Sequence, residues 1–200
     1  MAPVTKALLW ANIAAFVLQT YEPGLLGYFA LWPLTAAAGG PGADAGFAPW
    51  QLVTYAFLHG NLGHLLFNML ALYMFGSDIE RVVGPRRYTT YYFVCVISAA
   101  LVQLAVSSAG NLPAYPTVGA SGGVFGLLLA FGLYFPTRMV MLIFPPIPMP
   151  AWLFVTLYGG LELFLGVTGT QQGVAHFAHL GGMLGGYFMI RSWRSRSRFL

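Results

Sequence analysis

Charge is scarce in this chain. Nine Lys and Arg and five Asp and Glu in 200 residues, 7% charged against 58% hydrophobic, leave too little polar surface to clothe a water-soluble domain. In such a domain about a quarter of residues are charged. A soluble enzyme or binding module is excluded, and a mean hydropathy of +0.72 is that of a polytopic membrane protein. No polar stretch is long enough for a separate soluble module, so residues 1–200 are read as one domain. A single cysteine, Cys95, excludes an internal disulfide. With no histidine near it in sequence, it is read as a packing residue. No HExxH motif or carboxylate cluster is present, so neither a metal nor any other cofactor is expected.

What is present is apolar and interrupted. Six runs separate, at about Val4–Thr20, Leu52–Phe75, Tyr88–Ser108, Ala120–Phe135, Pro150–Val167 and Val174–Ile190. They predict an all-α membrane protein with six transmembrane helices. The first run lacks a clean small-residue cleavage site and is read as a retained helix. Several runs fall short of the ~20 residues that span a bilayer, which is tolerated where a helix faces protein or a water-filled cavity. Ala120–Phe135 is the shortest. Tyr21–Trp50 forms a long Gly- and Pro-rich outer loop, and its Leu25–Leu34 piece suits an interfacial segment. The prolines of Pro145–Pro150 separate the fourth and fifth spans.

The basic residues give the orientation. With a cytoplasmic amino terminus, Lys6, Arg81, Arg86, Arg87, Arg138, Arg191, Arg194, Arg196 and Arg198 all fall on the cytoplasmic side. That is the whole Lys and Arg complement, and the positive-inside rule then puts both termini in the cytoplasm. The net charge of +4 reflects topology and contact with the lipid bilayer, and makes no case for nucleic acid. A bacterial inner membrane is the expected location.

Topology fixes depth. At ~1.5 Å per helical residue, His64, Ser121 and His179 stand about 18, 22 and 18 Å above the cytoplasmic ends of their helices. Three polar groups from three helices thus share one level of a ~30 Å core. Ser121, in Gly119-Ala120-Ser121-Gly122, puts a hydroxyl at the start of an apolar helix, where backbone amides are free to donate. A serine needs a base to become nucleophilic, and imidazole suits the task near neutrality. His64 and Asn68 share a helix face and are candidate side-chain donors to an oxyanion. Phe125, four residues past Ser121, is read either as stacking on the base or as ordinary packing. Gly122 with Gly126, and Gly182 with Gly186, form small-residue seams that let helix backbones approach. At ~100° per residue the second seam centres some 40° from His179 and about 100° from His176, so His179 is the expected base. No Asp or Glu lies at the outer level, and Glu162 is the only acidic residue well inside a span. A two-residue Ser121–His179 catalyst is implied, with the parts played by Glu162, His59 and His176 left open.

Together these motifs resemble the rhomboid family of intramembrane serine proteases. Gly119-Ala120-Ser121-Gly122 is similar to its Gly-x-Ser-Gly, His64-Leu65-Leu66-Phe67-Asn68 to its His-x-x-x-Asn, and Ala178-His179-Leu180-Gly181-Gly182 to its sixth-span motif. Gly76, Glu80 and the Arg86–Arg87 pair resemble its second cytoplasmic-side connection. The resemblance implies a six-helix rhomboid bundle in which Ser121 is the nucleophile, His179 the base, and His64 and Asn68 stabilise the oxyanion. The implied partners are transmembrane protein substrates, cut near the outer ends of their spans, with the fifth span as a moving gate. The family's Trp-Arg of the first loop reads Trp50-Gln51 here. Two other readings use the same sequence: a rhomboid-like binder that does not cut, and a small-molecule transporter. The orientation has a direct test. Cysteines placed at Gly42 and Gly110 in a Cys95→Ser background label from outside intact cells, and cysteines at Gly84 and Ser195 label only after lysis.

Overall fold

In the computed structural model, residues 1–34, 46–109, 116–141, 146–169 and 175–196 are described. Gly42, Asp44, Gly110, Pro145 and Arg198, with parts of the first, third, fourth and fifth loops and the start of the expected sixth span, lie outside them. The described residues are mostly helical. Helix α1 runs Pro3–Tyr21 and a short α2 runs Leu25–Phe29. Then come α3 at Gln51–Thr54 with a 3₁₀ turn to Phe57, and α4 at Leu62–Ala71, which passes through a π turn into α5 at Ser77–Val83. The long helix α6 (Pro85–Ala109), the serine-bearing α7 (Ser121–Tyr134), α8 (Ala151–Thr168) and α9 (His176–Arg196) complete the order. Leu62–Val83, Pro85–Ala109 and Ala151–Thr168 are long and apolar enough to cross a membrane, and α7 is apolar but shorter.

One expectation is corrected. The second apolar run is not one helix over Leu52–Phe75. It breaks at Leu58–Asn61, because the Asn61 side chain accepts from the His64 amide at 2.8 Å and so caps a new helix. That helix continues beyond Phe75 through polar residues read from the sequence as a connection. It ends at Gly84, whose φ of 81° is open to glycine, and Pro85 then opens α6. The prolines do separate α7 from α8, and part of their run is a strand. Met139–Met141 (β1) pairs antiparallel with Pro148–Pro150 (β2), so the protein is not wholly helical. Pro148 and Pro150 can sit in a two-stranded ribbon because their missing N–H groups face away from the ladder.

Polar residues hold the apolar helices in register. The buried Glu80 carboxylate accepts from the amides of Val4 (2.9 Å) and Thr5 (2.7 Å) and from the Thr5 hydroxyl (2.8 Å). It thereby satisfies amides at the start of α1 and meets the positive end of its dipole. Gln51, buried where the family motif has arginine, bridges the first loop. It accepts from the Trp32 amide and donates to the Tyr28 and Gly46 carbonyls. At the opposite end from the serine, Arg81 and Arg138 share Asp78 at 2.9 and 2.7 Å. Arg87 lies over Trp193, and Arg194 over Tyr134, so basic residues from separate elements gather at one end of the bundle.

Helix α7 is the centre. Most of its residues are buried, which accounts for its brevity: it faces protein, where a full span is not required. Helices α6 and α9 close on it through glycines. A Cβ on Gly182 would overlap the Gly122 carbonyl, and one on Gly126 would overlap Cys95. Hydroxyls then bond the backbone of these packed helices: Tyr91 to the Gly126 carbonyl at 2.7 Å and Ser98 to that of Gly181 at 2.8 Å. Gly182→Ala is expected to cost at least the roughly 1–3 kcal/mol of an overpacked core, read as a fall in thermal midpoint. Gly160→Ala, with no atom close to the added methyl and a better helix former inside α8, does not lower the midpoint.

Candidate active site

Ser121 is the first residue of α7, so its amide is among those a helix leaves without an internal partner. The residue before its N-cap is Gly119, with φ of 125°. A Cβ there would lie 2.7 Å from Cε1 and 2.8 Å from Nε2 of His64. The turn therefore needs glycine twice over, for its backbone angle and to seat the His64 ring beside the serine.

The Ser121 hydroxyl lies 2.8 Å from His179 Nε2. Phe125, one turn along α7 from the serine, stacks on the His179 ring with centroids 4.2 Å apart and planes within 5°. Tyr158 stacks on Phe125 at 5.4 Å, and Phe154 on Tyr158 at 5.6 Å. This ladder links α9, α7 and α8. Gly122 and Gly126 on α7 and Gly182 on α9 set the helix separation at which a serine and a histidine can touch, while Gly186 gives close approach to Tyr91 and Cys95 of α6.

On the other side, His64 receives the Gly60 amide at Nδ1 (3.4 Å), which leaves Nε2 to carry the proton and face Gly119. The Asn68 side chain donates one N–H to the His64 carbonyl at 3.1 Å, and an amide has a second N–H to offer. His59 stands behind them. Its backbone exchanges two hydrogen bonds with the Gln19 side chain, and its ring meets that of His64 edge-on at 5.1 Å. Its part is to back His64. A cavity of about 1150 Å³ opens over Ser121, His179, His64 and Asn68, walled by Phe67 and Met74 on one side and Phe154 on the other.

One reading of the sequence is overturned. A carboxylate does reach this level: Glu162 Oε2 lies 2.8 Å from His179 Nδ1 and 2.6 Å from His176 Nδ1. Glu162 stands 11 residues into α8, or about 16 Å along it, a height close to that of the histidines. Intramembrane ionisable residues are functional candidates by default, and that signal marked Glu162 as strongly as it marked the histidines. Sequence could not tell which face of α8 met which helix. The same three side chains offer donor atoms within 4.8 Å of one another, a His₂Glu set that divalent metals use elsewhere. Here both ring nitrogens are directed at a single carboxylate oxygen by hydrogen bonds.

The rhomboid-domain family model matches residues 47–195, a stretch that contains Ser121, His179, His64, Asn68 and Glu162. The chain belongs to the rhomboid family. It is 30% identical over 139 residues to "Rhomboid protease GluP" of Bacillus subtilis, covering 70% of this chain and 25% of that protein. It is 33% identical over 103 residues to "Rhomboid protein 1, mitochondrial" of Saccharomyces cerevisiae, covering 51% of this chain and 30% of that one. It is 31% identical over 144 residues to "RHOMBOID-like protein 12, mitochondrial" of Arabidopsis thaliana, covering 66% and 42%. The chain spans less than half the length of these relatives. With its apolar helices, this rhomboid chain is a multi-pass membrane protein. Relatives from bacteria, mitochondria and plants assign it to no particular membrane.

His64→Ala and Asn68→Ala are each expected to lower turnover of a single-span reporter by roughly 10²–10³, the loss typical of one oxyanion donor. Both variants should retain the thermal midpoint of the parent protein. Full activity in the double variant removes both from the site.

Proposed function

We propose that this protein is an intramembrane serine endopeptidase that cleaves transmembrane segments of other membrane proteins near their outer ends. The observation that carries the reading is the Ser121 hydroxyl at 2.8 Å from His179 Nε2, opening on a cavity of about 1150 Å³ in an otherwise apolar bundle. His179 takes the serine proton as the oxygen attacks the scissile carbonyl, and then gives it to the departing amide nitrogen. Water hydrolyses the acyl-enzyme by the same route. The Ser121 amide, His64 Nε2–H and the remaining Asn68 N–H face the negative charge that develops on the carbonyl oxygen.

In this reading the chain crosses the membrane six times with both termini in the cytoplasm, and the basic end of the bundle is the inner one. The cavity lies between α4 and α8, a gap through which a substrate segment enters from the bilayer. The segment must be extended at the cut, because a helical backbone satisfies its own carbonyls and keeps them from the serine. Small or helix-destabilising residues at the cleavage point are therefore favoured. A binder of client helices that does not cut would use the same gap, but would have no need of a hydroxyl bonded to an imidazole.

Purified protein and a panel of single-span reporters test the reading. Ser121→Ala and His179→Ala each abolish cleavage, and a serine-directed fluorophosphonate labels the parent protein but not Ser121→Ala. His176→Ala, which leaves the Ser121–His179 contact in place, keeps substantial activity. Cleavage that survives Ser121→Ala, or dies only with His176→Ala, overturns the assignment.

A further inference from the structure

Stacking on Phe125 holds the His179 ring in a plane, with centroids 4.2 Å apart, but leaves two choices undecided. The ring can be flipped within that plane, and its single proton can sit on either nitrogen. Only one combination serves a serine nucleophile, with Nε2 bare and facing Ser121 and the proton on Nδ1. A group bonded at Nδ1 must make that choice, and at 2.8 Å that group is Glu162 Oε2.

We propose that Glu162 is a positioning residue for the reaction, holding His179 in the tautomer that accepts the Ser121 proton and balancing the charge of the imidazolium that forms. The inference rests on the Ser121–His179 reading above and turns its two-residue catalyst into a chain of three. Two ring nitrogens meet one carboxylate oxygen, His176 Nδ1 at 2.6 Å and His179 Nδ1 at 2.8 Å. An ionised carboxylate only accepts, and two N–H donors match the two lone pairs of that oxygen. Glu162 is buried, where a carboxylate without partners is costly, so the two histidines and the glutamate stabilise one another. Tyr158 on α8, His64 on α4 and His176 on α9 are the other titratable groups around the ring. No Lys or Arg lines the cavity among the described residues.

The step balances without further groups. The Ser121 O–H bond breaks and its proton passes to His179 Nε2. The oxygen forms a bond to the scissile carbon, and the carbonyl π pair moves to its oxygen. The oxyanion pair then re-forms the C=O bond as the C–N bond breaks, and the imidazolium returns the Nε2 proton to the leaving nitrogen. The Nδ1 proton stays in place throughout and Glu162 remains ionised, so the positive ring is never unpaired in an apolar surrounding.

The experiment uses the full chain in lipid bicelles, with ¹⁵N-labelled histidine and a single-span reporter. The parent protein should show His179 protonated at Nδ1 and bare at Nε2. Glu162→Gln, whose amide can either donate or accept, should lose that fixed tautomer. Its kcat should fall by up to about 10⁴, the loss seen when an orienting carboxylate behind a catalytic histidine becomes an amide, with KM little changed. A parent protein with the proton on Nε2 overturns the proposal, and this needs no variant to fold. So does a Glu162→Gln protein with parental kcat, or one whose kcat falls while the His179 tautomer stays fixed. If Ser121→Ala still cuts, the underlying serine reading fails instead, and the two failures are told apart.

Discussion

The contact between Gly122 and Gly182 governs the rest of this structure. Lipid chains are as apolar as leucine, so helices in a membrane gain little from burying hydrocarbon and associate through close packing and hydrogen bonds. Here the approach is so close that α9 cannot carry a side chain at residue 182 without striking the α7 backbone. That separation brings His179 to within hydrogen-bond distance of Ser121. It also lets Phe125 lie flat on the imidazole. A wider spacing would leave both side chains in place and the chemistry out of reach.

A second constraint follows from the scarcity of charge. Each buried polar group stands where leaving it unpaired is expensive, so pairings determine how elements are joined. Glu80 ties α5 to the start of α1, Gln51 ties α3 to the first loop, and Gln19 ties α1 to the backbone of His59. Glu162 does the same between α8 and α9. Helix α8 has only 17% of its apolar window buried, against 44% for Leu62–Val83 and 39% for α6. The least buried of these helices is therefore held to the site by its carboxylate and by the Phe154–Tyr158–Phe125 stack. Its seat and the orientation of the base are physically one matter.

Much of the fold was legible because a bilayer makes hydropathy a strong signal. The bounds of α1, α6, α7 and α8 lie within a few residues of the apolar runs. The second run misled at both ends. Apolarity continues from Leu52 to Phe75, and it does not reveal that Asn61 caps a new helix or that Glu80 carries that helix onward by bonding a distant amino terminus. The proline ribbon was hidden for a related reason, since its ladder joins residues across a connection. At the site, glycine placement and helical phase pointed to Ser121 and His179, because both are local periodicities.

Sequence alone determined the apolar character, the serine at the head of a short helix and the preference for His179 over His176. Each is a matter of composition or of distance along one helix, which 1.5 Å and 100° per residue convert into height and direction. Tertiary structure alone decided that Glu162 faces both histidines, that His59 backs His64, and that Phe125 continues into Tyr158 and Phe154. Those facts depend on how one helix is rotated against another. That rotation is settled by packing all the helices at once, so the periodicity of a single helix does not contain it.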